Sequence, residues 1–176
     1  DSKTAEIETV ATPSRADGLI FNIDGLSAPS KEMGYAPRRE QLGSRKEMID
    51  AAMHYPTGLN AAKTFADVNA PFAPDAYRFE NAQVMAGPAC TFAPGCQNIS
   101  TQSLAIFERL GDVATRVIGV DERVGIVWLR MAWGAQQEGG TQLTVWEAFK
   151  VYDGQIHAVE AFMKILPFEL RSGGWE

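Results

Sequence analysis

Histidine and cysteine are scarce here, two of each in 176 residues, which leaves little material for metal or nucleophile chemistry. The sequence has no histidine cluster with metal-ligand spacing, no Ser-His-Asp arrangement and no Gly-rich phosphate loop. Zinc catalysis and a Cys–His nucleophile are therefore poorly supported, no metal site is expected, and no cofactor is expected. No apolar run approaches the roughly 20 residues of a membrane helix. Basic residues are outnumbered, 16 against 22 acidic ones, for a net charge of -6. With no basic stripe, nucleic acid is not an expected partner. Neither a Met nor a signal segment opens the chain at Asp1, so it reads as a processed chain or a piece of a longer one.

What is present is globular in kind. Hydrophobic residues make up 45% and charged residues 22%, enough for one domain with a sizeable core. The two cysteines, Cys90 and Cys96, lie in CTFAPGC. Pro94 and Gly95 let that loop close on itself, so a local disulfide is the preferred reading over two free thiols. Asn98-Ile99-Ser100 follows, a glycosylation sequon at Asn98. Together they lean toward an oxidising, secreted setting.

Leu143 to Met163 organises the rest. Two alternating runs flank Asp153-Gly154, a pair that favours a type I′ turn because both central residues need positive φ. A tight turn would place Glu147 opposite Glu160, on a face shared with Val145, Phe149, Val151, Ile156, Ala158 and Phe162. Like charges facing each other in an apolar stripe are unfavourable. They need a cation, a shared proton or water, and the first two describe an acid–base site. The alternative is a solvated face or a structural ion pair.

In chain order, residues 3–12 alternate as a strand. Residues 13–43, with Pro13, Pro29 and Pro37, read as a linker or a wrapping segment, pinned by Phe21, Ile23, Leu26 and Tyr35. Residues 44–62 read as a helix opened by a Ser44/Glu47 capping box. Met48, Ala52, Tyr55 and Leu59 share its inner face, and Pro56 should kink or end it near His54. Residues 63–74 form a short helix or turn, and 75–84 a strand with Tyr77 and Phe79 on one face and Arg78 and Glu80 on the other. Residues 101–110 read as a short helix, and 112–120 with 124–133 as a second hairpin. A symmetric 134–140 loop would set Trp128 beside Glu147 and put Arg130 on the glutamate face as its cation, with Arg116 and Arg78 in reserve. The other sheet face is also rather apolar and wants a second layer.

On these features the sequence resembles the NTF2-like (SnoaL-like) superfamily. The resemblance is carried by the helix with Tyr55, the segment FAPDAYRFENA and the closing WEAFKVYDGQIHAVEAFM. It is closer still to an uncharacterised fungal and bacterial group with two such modules in tandem. There it rests on TAEIETV, SRKEMI, Tyr55 with Gly58, the Cys loop and the terminal SGGW. The resemblance implies an α+β fold, a cone of helices on a strongly curved antiparallel sheet, over residues 44–176. Residues 1–43 then supply an N-terminal strand and linker. A homo-oligomer, or a preceding module packed on the outer sheet face, would be the partner.

The superfamily includes isomerases, dehydratases, cyclases, epoxide hydrolases and lyases, some acting on lignin-derived aromatics, and modules that only bind. By that resemblance Trp128, Phe149, Phe162, Met48, Leu59 and His54 would line an apolar pocket. Glu147, Glu160, Arg130 and Tyr55 would be its polar set. The expected function is a cofactor-independent lyase, isomerase or dehydratase acting on a small hydrophobic, aromatic molecule. The alternative is a non-catalytic binding or assembly module.

Overall fold

A computed structural model describes residues 9–26, 30–134 and 140–167. The expected residues 3–8 of the first strand, the loop at 135–139, the side chains of Ile23 and Leu26, and SGGW at 172–175 lie outside the described residues. Residues 9–12 are not a strand.

The fold is α+β: one long helix packed on a curved, unclosed sheet of six strands. Helix α1 is a single turn, Arg15–Gly18, and α2 runs Arg45–Ala61. The strands are β1 Phe72–Glu80, β2 Gln83–Ala86, β3 Ala114–Asp121, β4 Ile126–Gly134, β5 Thr141–Tyr152 and β6 Gln155–Pro167. Their spatial order is β2-β1-β6-β5-β4-β3. All neighbours are antiparallel except β1 and β6, which run parallel. The sheet is thus mixed rather than wholly antiparallel, because the chain between β1 and β6 is long enough for a crossover.

Helix α2 begins at its capping box: Ser44 Oγ accepts from Glu47 N, and Glu47 Oε2 accepts from Ser44 N at 2.8 Å. It continues through Pro56 instead of ending there. The lost backbone bond is outweighed by burial on both sides of it, since Met48, Ala52, Tyr55 and Leu59 all pack inward. Gly58 lets Phe65 press against the helix, where a Cβ would lie 2.6 Å from the Phe65 ring.

Four expected elements differ. The 75–84 strand is two strands, because Asn81 and Ala82 turn the chain with positive φ. Asn81 is held there by hydrogen bonds to the backbone of Met163, Gly18 and Ile20. Residues 101–110 are irregular apart from a 3-10 turn at Phe107–Arg109. The β5–β6 turn has the expected form, Asp153 and Gly154 both at positive φ. A bulge follows it at once. Val151 pairs with Ile156, but Lys150 pairs with Ala158, so His157 is the extra residue. From there every β6 residue is displaced by one, and its side chains change faces. Finally, β4 meets β5 one residue from the symmetric closure: Leu129, not Trp128, is beside Glu147.

The second layer on the convex face is in part the chain's own N-terminal segment. Lys150, fully buried, donates from Nζ to Tyr35 O and Val124 O, both at 2.5 Å. Tyr152 Oη donates to Glu32 Oε2 at 2.8 Å, and Tyr77 Oη donates to Ser30 Oγ at 2.6 Å. Of the expected pins, Tyr35 packs on Tyr152 with ring centroids 5.2 Å apart, and Phe21 is half-buried. Cys90 and Cys96 form a disulfide.

Candidate functional site

The concave face is a ladder of rows crossing β4, β5, β6 and β1. Where β4 ends and β5 begins stand Trp133, Leu143 and Ile165, and the next row is Met131, Val145 and Met163. The third is Leu129, Glu147, Ala161 and Glu80; the fourth is Val127, Phe149, Val159 and Arg78. Glu147 and Glu80 therefore flank the small Ala161, with about 10 Å between their backbones. Arg78, one row on from Glu80, points into the same space.

Helix α2 supplies Tyr55 above these rows. Its ring stacks on Phe65 at 4.6 Å and meets Phe149 edge-on at 5.1 Å. Arg78 Nη1 donates to Tyr55 Oη at 3.2 Å, and Nη2 donates to Gln102 Oε1 at 3.1 Å. Arg78 Nε is 3.0 Å from Glu80 Oε1. That N–H is not aimed at the carboxylate, so the contact is an ion pair rather than a hydrogen bond. The guanidinium also lies over the Phe107 ring, 5.9 Å from its centroid. All four polar groups are buried: Tyr55, Arg78 and Glu147 are 2% exposed and Glu80 7%.

Burial decides the protonation states. Glu147 is pushed up to about 8, first by desolvation. Arg78 and a Tyr55 hydrogen bond pull it down, and Glu80 pushes it up further. Glu147 Oε2 has no hydrogen-bond partner. Tyr55 is driven well above its ordinary value, again by desolvation first, and stays a neutral donor. Desolvation works against the Arg78 charge, but Tyr55, Glu80 and Glu147 outweigh it. The cluster thus holds a neutral carboxyl, a phenol and a fixed cation at neutral pH. That set can give or take a proton and steady a developing oxyanion. Among the described residues no group of three or more His, Cys, Asp or Glu could hold a metal ion.

Several expected site residues stand elsewhere. Glu160 pairs with Ala148 on the convex face, because the bulge at His157 reverses its parity. Phe162 follows it outward, to a small convex hollow with Val10, Thr12, Phe21 and Asn81. Trp128 and Arg130 face outward because of the one-residue β4–β5 slip, with Arg130 over the Trp146 ring at 5.1 Å. His54 lies off the cluster, its Nδ1 2.9 Å from Val68 O. Tyr55, Phe149, Met48 and Leu59 are in the concave core, and Glu147 is buried on the same face. The residues that take the missing places are Glu80 for Glu160 and Arg78 for Arg130. Gln102 had no sequence signal, since it acts from an irregular segment.

Residues 41–163 match the model of a domain of unknown function, DUF8021. The chain belongs to that family. No curated protein matches it. Among solved structures, a de novo designed protein with a curved β-sheet is 13% identical at TM-score 0.52, over 69% of this chain and 88% of that one. This likeness shows the fold alone: the DUF8021 domain is built as a helix against a curved sheet. A protein described as a SnoaL-like polyketide cyclase, from Jannaschia sp. CCS1, is 14% identical at TM-score 0.45, over 74% and 91% of the two chains. An LEH-like epoxide hydrolase of M. tuberculosis is 17% identical at TM-score 0.42, over 68% and 84%. Neither carries an argument about chemistry.

Proposed function

We propose that this DUF8021 protein is an acid–base enzyme of lyase, isomerase or dehydratase type, acting on a small hydrophobic, aromatic molecule with Glu147 as the proton-carrying group. The observation behind this reading is a fully buried carboxyl with one unpartnered oxygen, beside a phenol and a guanidinium. A structural carboxylate in that position would pair with Arg78, but Arg78 faces Glu80 instead. Glu80 is then held by the Arg78 guanidinium and Glu147 is the group free to exchange a proton, while Tyr55 and Arg78 donate to a developing negative charge.

Access supports a hydrophobic substrate. A cleft of about 850 Å3 opens where β4 ends and β5 begins, lined by Leu19, Leu110, Trp133, Leu143 and Ile165, with the charged Glu108 and Arg109 beside them. That volume is within the range of small-molecule sites. Glu147 lies two rows deeper than Leu143, about 14 Å along β5. The row between holds Met131 and Met163, flexible side chains that can make way for a ligand.

A benzisoxazole that opens when a base removes its ring proton is a suitable probe. Turnover should rise with pH through about 8 as Glu147 ionises, and fall to background in Glu147→Gln. Equal turnover in the two proteins would remove Glu147 as the base.

The second reading is a non-catalytic binding or assembly module. It is favoured by the closed interior, where Tyr55, Phe65, Phe72 and Phe149 pack ring against ring. In that case a Gln at 147 breaks a structural network and should destabilise by roughly 3–5 kcal/mol. Under the acid–base reading it relieves a buried carboxyl and costs little.

A further inference from the structure

We propose that Asn98 is an N-glycosylation site, occupied when the chain matures in a eukaryotic secretory pathway. Sequence supplies the acceptor pattern Asn98-Ile99-Ser100, and the fold supplies the presentation. Ile99 is 1% exposed and anchors the turn in the core, while its neighbour Asn98 is exposed. Asn98 Oδ1 accepts from Ser100 N at 2.8 Å, which fixes the side-chain amide. Among the described residues its Nδ2 makes no hydrogen bond, so the nitrogen that would be modified is uncommitted. The turn is irregular and lies outside the sheet, so a bulky sugar displaces no packed element.

A second observation supports an oxidising compartment. Cys96, two residues upstream, is bonded to Cys90, and disulfides form and persist where the surroundings are oxidising. Eukaryotic oligosaccharide transfer takes place in an oxidising lumen of that kind. In the transfer, Nδ2 of Asn98 forms a bond to the anomeric carbon of a lipid-diphosphate oligosaccharide. The bond from that carbon to the phosphate oxygen breaks, the lipid diphosphate leaves with the electron pair, and the amide loses one proton. No oxidant or reductant is needed.

The turn also bears on the interior. Asn98 O accepts from Gln102 N at 3.0 Å, and the Gln102 side chain holds Arg78. A glycan on the outer side of the turn leaves these inward bonds in place. The modification therefore belongs to the surface and not to the Glu147 chemistry.

The test is intact-mass and glycopeptide analysis of the full chain secreted from a eukaryotic host, read on molecules with Cys90–Cys96 closed. The expected result is a mass increment removed by peptide N-glycosidase and mapped to position 98. Ser100→Ala should abolish it, although Ser100 bonds to Asn98 only through its backbone, so the turn itself is kept. Ser100→Thr should retain it. An unmodified Asn98 in secreted, disulfide-closed wild-type chains would overturn the proposal, as would an increment that persists in Ser100→Ala.

Discussion

Glu147 and Glu80 meet the cost of burial in opposite ways. Glu80 has a guanidinium 3.0 Å away, while Glu147 keeps its proton. Tyr55 and Arg78 both work against that proton, so removing either should raise Glu147 further above about 8. Tyr55→Phe also strips the acceptor from Arg78 Nη1, a loss of about 1–3 kcal/mol. Arg78→Leu leaves Glu80 buried without its charge partner and should cost roughly 3–5 kcal/mol. Chemical denaturation of the two variants beside wild type checks the order. Equal losses would mean that the Arg78–Glu80 pair contributes little. At this scale the sequence was readable for Tyr55, because an amphipathic helix declares its inner face. Parity within β1 put Arg78 and Glu80 on one face, but nothing local said that this face points inward. The usual expectation would turn the aromatics Tyr77 and Phe79 to the core.

At the level of elements, turn chemistry was legible and register was not. Asp153-Gly154 announces its turn in two residues. The bulge at His157 leaves no such mark, yet it alone moves Glu160 and Phe162 to the other face. The β4–β5 slip is similar, since one residue of loop length decides it. Pro56 misleads in the other direction, because propensity is local and the burial that overrides it is not. The glycine turns offer a quantitative check. Gly125 and Gly154 both have φ near +70°, but only Gly125 is crowded, with any Cβ meeting the Val151 carbonyl. Gly154→Ala should cost about 1–2 kcal/mol for the left-handed backbone alone. Gly125→Ala should cost clearly more and lower the melting temperature further. Equal shifts would contradict the crowding at the β3–β4 turn.

Over the whole molecule, α2 covers one sheet face and the segment before it ties down part of the other. Strand alternation reads the outer sheet face as rather apolar, which calls for a second layer. Composition could not show that residues 30–41 bring part of the second layer themselves, through Lys150, Tyr152 and Tyr77. The buried carboxyl also contributes to the protein's response to pH. Below about 4.5 both folded and unfolded chains carry the Glu147 proton; between there and about 8 only the folded chain does. The unfolded state binds fewer protons in that window, so stability falls as pH rises across it. The full loss is about 5 kcal/mol at most. Glu147→Gln should flatten this slope and be the more stable protein at the alkaline end.

The most direct test is the infrared carbonyl band of the protonated Glu147 carboxyl, isolated as the wild-type minus Glu147→Gln difference and followed with pH. A band present at pH 6 that fades through about pH 8 is the predicted result. A carboxylate signature already complete at pH 6 would contradict it, and with it the assignment of Glu147 as the proton-carrying group.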